Sequence, residues 1–183
     1  MNLLEIIVIS ISLAMDAFAV SICKGLSMKK LSIKNAMIIG AYFGFFQGLM
    51  PLIGFYLGSI FTGFLESITY IIATILLTII GIGMIKESFA REEKQNDQVN
   101  FKTMIVLAIA TSIDALVIGI SFAFLKVNIY LSIIFIGFIT FLLSFIGTIF
   151  GNKLGNKLGS KSNLLGGIVL IGMAIKILLE NIL

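Results

Sequence analysis

The sequence predicts an all-α membrane protein: six transmembrane helices arranged as an inverted repeat of two three-helix units, with both chain termini on the outer side. Three observations predict it. Of 183 residues, 59% are hydrophobic and only 12% charged, with a mean hydropathy of +1.15, a balance foreign to soluble domains. Six apolar runs come close to the roughly 20 residues that a helix needs to cross about 30 Å of hydrocarbon. The basic residues gather on alternate links between those runs.

The runs extend from about Leu3 to Cys23, Asn35 to Ser59, Ile68 to Ile85, Thr103 to Leu125, Ile129 to Phe150 and Leu164 to Leu179. Each is about twice the length of a membrane barrel strand and lacks sustained polar/apolar alternation, so helices are expected. Glu5 precedes the first run without any Lys or Arg, and Asp16 interrupts its apolar core. Despite Ala17-Phe18-Ala19, it therefore reads as a retained span and not as a cleaved signal peptide.

The link between runs one and two carries Lys24, Lys29, Lys30 and Lys34; that between three and four, Lys86, Arg91, Lys94 and Lys102; that between five and six, Lys153, Lys157 and Lys161. The opposite side has only Lys126 and Lys176. Eleven against two places the basic links in the cytoplasm. Residues 87–102 form the only markedly polar stretch, a flexible connector between a first unit, 1–86, and a second, 103–183. Its mixed-sign charges read as solvated, not as a metal sensor.

The two units resemble one another. A shift of 98 residues superposes Asp16-Ala17 on Asp114-Ala115; 93 puts Gly44, Ile53-Gly54 and Gly58 on Gly137, Ile146-Gly147 and Gly151; 89 puts Gly83-Met84 on Gly172-Met173. Units with an odd number of spans enter the membrane from opposite sides. That is the inverted-repeat plan by which many secondary transporters place a substrate site near the bilayer midplane.

Asp16 and Asp114 are the centre of this plan. An acid in hydrocarbon costs about 2.5 to 3.5 kcal/mol on insertion scales and marks function by default. Asp16 lies about 13 residues into its run and Asp114 about 11 into its own, so at about 1.5 Å per residue both reach mid-depth. Ser12 and Cys23 share a helix face with Asp16, and Thr111 and Ser121 share one with Asp114. Gln47 of run two, Thr140 at the equivalent place in run five, Ser112 beside Asp114 and the thioether of Met15 complete the candidate ligand and pathway residues.

Carboxylates, hydroxyls, an amide and carbonyls suit Mg²⁺, Ca²⁺ or Mn²⁺. With no histidine and one cysteine, a nitrogen- and sulfur-ligated zinc or copper site is not expected. Gly40, Gly44, Gly48 and Gly54 on run two, and Gly147, Gly151, Gly155 and Gly159 from run five onward, form small-residue stripes for close helix packing and gating. Pro51 is expected to kink the second helix near the site.

No link is long enough for a soluble catalytic domain, and no phosphate-cradling loop ending in Gly-Lys-Ser/Thr occurs. The chain reads as a transporter without its own ATPase, not as an enzyme. An intramembrane aspartyl protease would need a Gly-x-Gly-Asp signature, whereas Asp114 follows Thr111-Ser112-Ile113. A secondary exporter of a divalent cation, with protons returning in exchange, is the function expected; a membrane scaffold leaves the paired acids without a purpose.

The stretches SLAMDAFAVSICKG (Ser12 to Gly25) and ATSIDALVIGISFAF (Ala110 to Phe124), the segment Pro51-Leu52-Ile53-Gly54 and the run Leu165 to Gly172 resemble the bacterial manganese efflux pump family MntP over essentially the whole chain. The resemblance implies export of Mn²⁺ as substrate across the inner membrane, no permanently bound cofactor, no nucleic-acid or ATP partner, and Asp16 and Asp114 as the family's intramembrane acids. Gln47 stands where some members carry Glu, which removes a third charge. A related branch associated with sporulation is the alternative the resemblance leaves, as is export of another divalent cation.

Overall fold

The computed structural model describes residues 3–28, 32–58, 71, 74–75, 77–83, 85–86, 100–124, 127–158 and 162–182. They form α1 (Leu3–Leu26), α2 (Ile33–Leu57), α3 (the helical residues between 71 and 86), α4 (Phe101–Thr111), α5 (Ile113–Phe124), α6 (Ile129–Leu158) and α7 (Ser162–Ile182). No strand occurs among the described residues. Part of the third expected run, residues 87–99 of the polar linker, Lys126 and Gly159 lie outside the described residues.

Polar caps start the helices. The Ser32 hydroxyl accepts from the Asn35 N–H (3.1 Å) and the Asn100 side chain from the Lys102 N–H (3.0 Å). The Asn128 side chain accepts from the Leu131 N–H (3.3 Å) at the head of α6. Each satisfies one of the orphan donors of a first turn.

α1, α2 and α6 are each long and apolar enough to cross a membrane, and α4 with α5 makes a fourth crossing if taken as one bent span. α7 holds a shorter apolar stretch, Leu164–Lys176. Leu4, Val8, Phe45, Phe138 and Phe150 are exposed on the outer faces of α1, α2 and α6, the positions that hydrocarbon would solvate. The chain is a multi-pass membrane protein.

α6 is the central helix, packed along α1 and α2; α5 packs on α2, and α7 on α1. Glycines set these distances. At the α2–α6 crossing, a Cβ on Gly44 would lie 2.7 Å from the Gly137 carbonyl oxygen, and one on Gly137 3.0 Å from that of Gly44. Gly40 packs on Phe141 and Gly48 on Ile133 of the same partner helix. Along α1–α6, Gly147 meets Phe18 and Gly151 meets the Ile22 carbonyl; along α2–α5, Gly54 meets the Leu116 carbonyl and Gly58 meets Ile120. Backbone meets backbone at these points because no side chain intervenes.

One expectation about helix shape is corrected. The fourth run is not one straight helix: it breaks at Ser112, where α4 and α5 meet at 44°. Ser112 leaves helical geometry (φ −109°, ψ 5°), its hydroxyl donates to the Ala108 carbonyl (2.6 Å), and the Thr111 hydroxyl donates to Leu107 (3.1 Å) and Ala108 (3.3 Å). Such back-bonding competes with the helical ladder and bends it. α2 is one continuous helix across Pro51, and the proline ring withholds the N–H that would serve the Gln47 carbonyl.

Candidate functional site

Two apolar clusters divide the bundle. One joins Ala17, Val20 and Cys23 of α1, Ile39 and Phe43 of α2, Leu77 of α3, Met104 and Leu107 of α4, and Leu170 of α7. It occupies the half nearer Lys24, Lys34 and Lys102, called the basic end below. The other joins Leu13, Ala115, Phe122, Ile129 and Ile136, with Ile9, Met50 and Phe55 packed against it. On α1 the boundary falls between Leu13 and Ala17, on α2 between Phe46 and Met50, and on the broken span between Ala110 and Ala115. Asp16, Gln47 and Asp114 occupy those three intervals.

Both acids are half-buried, and Asp16 lies within electrostatic reach of Asp114. Asp16 follows Leu3 by thirteen residues and precedes Leu26 by ten; Asp114 follows Phe101 by thirteen and precedes Phe124 by ten. Counted from opposite ends at about 1.5 Å per residue, each sits about 2 Å from the middle of its span.

The break at Ser112 prepares the position of Asp114. It lies in the first turn of α5, where unpaired N–H groups favour an anion, and its Oδ1 accepts from the Ala115 N–H at 2.8 Å. Across the break the ladder closes through the Ser112 N–H on the Ile109 carbonyl (3.0 Å) and the Leu116 N–H on the Ser112 carbonyl (3.3 Å). Backbone carbonyls at such a break are the oxygens with which broken membrane helices hold cations.

Gln47 is fully buried. Its amide Nε2 donates to the Leu13 carbonyl (3.1 Å), tying α2 to α1 one turn before Asp16, while Oε1 has no hydrogen-bond partner. Thr140, also fully buried, has no partner for its hydroxyl either. Buried polar atoms are almost always paired, so these two oxygens stand out. Among the described residues, no group of three or more His, Cys, Asp or Glu side chains could hold a metal.

The remaining candidates divide. Thr111 and Ser112 are buried beside Asp114, although their hydroxyls bond back into α4. Ser12 and Met15 are exposed on the outer face of α1, away from the bundle interior, and Ser121 is exposed and bonds back to Val117 (3.3 Å). Gly40, Gly44, Gly48, Gly54, Gly147 and Gly151 are at helix contacts, and Pro51 packs on Gly119. On α6 the sequence singles out Thr140 but not the rest of its buried series, Ser132, Ser144, Thr148 and Asn152. Their spacing in multiples of four was the available signal.

A family profile described as "Mntp: Putative manganese efflux pump" matches residues 30–178. The chain belongs to this family. It is 51% identical over 182 residues to a "Putative manganese efflux pump MntP" of Desulfitobacterium hafniense (strain Y51), covering 100% of this chain and 97% of the relative. Proteins of the same description from Acetivibrio thermocellus (50% identical; 100% and 93% covered) and Campylobacter jejuni strain RM1221 (53%; 100% and 98%) are similar over their whole lengths. No solved structure matches the chain. The family is one of transporters and not of enzymes.

Proposed function

We propose that the chain is a secondary-active exporter that carries Mn²⁺ from the cytoplasm to the outside of the bacterial plasma membrane, with Asp16 and Asp114 as its intramembrane ligands. The observation that carries this reading is the polar layer itself: two acids within electrostatic reach, at mid-depth, between two apolar clusters. The clusters separate the layer from both ends of the bundle, so ion movement requires them to part in turn, which is alternating access. The Gln47 Oε1 and Thr140 Oγ1, buried and unpartnered, and carbonyls at the break after α4 are the neutral oxygens that complete the coordination of a hard divalent cation.

The inverted repeat has support in the helix contacts. Gly54 on Leu116 becomes Gly147 on Phe18 when the shifts of 93 and 98 residues are applied, and Gly58 on Ile120 becomes Gly151 on Ile22. Gly44 and Gly137, equivalent by the same shift, meet each other at the crossing. The basic links face the cytoplasm and both termini face out, so Mn²⁺ enters from the basic end. Protons replace the ion on the two carboxylates during the return stroke.

The test is export from cells. Asp16→Asn and Asp114→Asn, each present in the membrane at the level of the parent, are expected to leave Mn²⁺-loaded cells with undiminished Mn²⁺. Either variant lowering cellular Mn²⁺ as fast as the parent would sink the assignment.

A further inference from the structure

We propose that Ser21 and Ser144 form a second station for a partly hydrated divalent cation, in the α1–α6 seam between the acid pair and the basic end. The proposal rests on the cation-export reading above. Both side chains are fully buried, and neither hydroxyl has a hydrogen-bond partner. Helix serines and threonines ordinarily donate to the carbonyl four residues back. Ser10 to Ile6 (2.7 Å), Ser112 to Ala108 (2.6 Å) and Thr148 to Ser144 (2.8 Å) do so in this bundle. Ser21 and Ser144 forgo it on two helices that face each other.

The packing register brings them together. Gly25 of α1 meets the Thr148 carbonyl of α6 and would place a Cβ 2.9 Å from the Asn152 nitrogen; Gly147 meets Phe18 at 2.9 Å. One turn before Gly25 is Ser21, and one turn before Thr148 is Ser144, so both stand at the same level of the seam. Five residues separate Ser21 from Asp16, about 7.5 Å along the helix toward the basic end. Below them the seam is closed by Asn152, whose Nδ2 donates to the Gly25 carbonyl (3.4 Å) and the Met28 carbonyl (2.5 Å).

The matching seam between α2 and α5 has no such pair. The repeat shifts carry Ser21 onto Gly119 and Ser144 onto Pro51, and there a Cβ on Gly119 would collide with the Pro51 carbonyl. The α1–α6 seam thus carries hydroxyls at the level where the α2–α5 seam carries Gly119 and Pro51. Two neutral oxygens hold a divalent cation only weakly and leave it most of its water. A station of that kind can load the acid pair without trapping the ion.

The experiment uses the full chain in lipid vesicles, with Mn²⁺ supplied at the basic end. Ser21→Ala with Ser144→Ala is expected to raise the half-saturating Mn²⁺ concentration about tenfold, with equilibrium Mn²⁺ binding to the acid pair, read by the electron spin resonance of the ion, unchanged. In a Cys23→Ala background, Ser21→Cys with Ser144→Cys is expected to make transport sensitive to micromolar Cd²⁺, which prefers thiolates, and a chelator should restore it. Each single cysteine should respond weakly. An unchanged half-saturation, or Cd²⁺ sensitivity no greater than that of the Cys23→Ala parent, means that the pair holds water or nothing and overturns the proposal. If Asp16→Asn still transports, the export reading itself has failed; if it does not and the serine variants behave as the parent, only this station has.

Discussion

Replacing single glycines by alanine tests the backbone contacts that place the acids, because the structure ranks the sites. At Gly54 the added methyl would meet the Leu116 carbonyl, two residues past Asp114, and at Gly151 the Ile22 carbonyl. Both partners are helix backbone and cannot turn aside. At Gly147 the nearest atoms are the Phe18 ring and carbonyl, each at 2.9 Å, a shallower overlap than at the other two sites. Gly83 and Gly172 have nothing within 4 Å. Overpacking of this kind costs about 1 to 3 kcal/mol, which for a chain of this size lowers the melting midpoint by about 2 to 12 °C. A freely accommodated Gly→Ala in a helix should instead gain up to about 1 kcal/mol. Melting of the detergent-purified variants and Mn²⁺ export from cells are measured together. Gly54→Ala and Gly151→Ala should lose stability and export, Gly147→Ala less, and Gly83→Ala and Gly172→Ala neither. Gly54→Ala as stable and as active as Gly172→Ala would refute the packing described here.

Gln47→Glu restores a third acid beside the pair and should tighten Mn²⁺ binding about tenfold, roughly 1.4 kcal/mol, with slower release visible as a lower maximal export rate; Gln47→Leu should weaken binding. Asn152→Ala leaves the Gly25 and Met28 carbonyls without the side-chain donor they share and should cost about 1 to 3 kcal/mol, read as a lower melting midpoint.

Much of this bundle was legible in the run lengths, because a helix in lipid must satisfy its backbone within about 20 apolar residues. The acids were legible because their cost in hydrocarbon is high. Helix rotation was harder to read. Asp16 sits at the rim of the buried face of α1, so Ser12, one turn away, falls outside it, and Met15, about 100° further round, faces outward. The break at Ser112 carries neither Gly nor Pro. Its signal was the pair Thr111-Ser112 ahead of Asp114, hydroxyls that take carbonyls from the helix behind them and an acid suited to the first turn of the helix ahead. Pro51 was the more conspicuous breaker, yet α2 continues through it, flanked by Gly48 and Gly54 contacts that hold the helix against its neighbours.

In the proposed function, Asp16 and Asp114 hold one Mn²⁺ together in the layer between the two apolar clusters. Titration of the purified chain with Mn²⁺, followed by the electron spin resonance of the free ion, tests it most directly. One ion bound per chain is expected, with at least a tenfold loss of affinity in Asp16→Asn and in Asp114→Asn alike. Parent-like binding by either variant would contradict it.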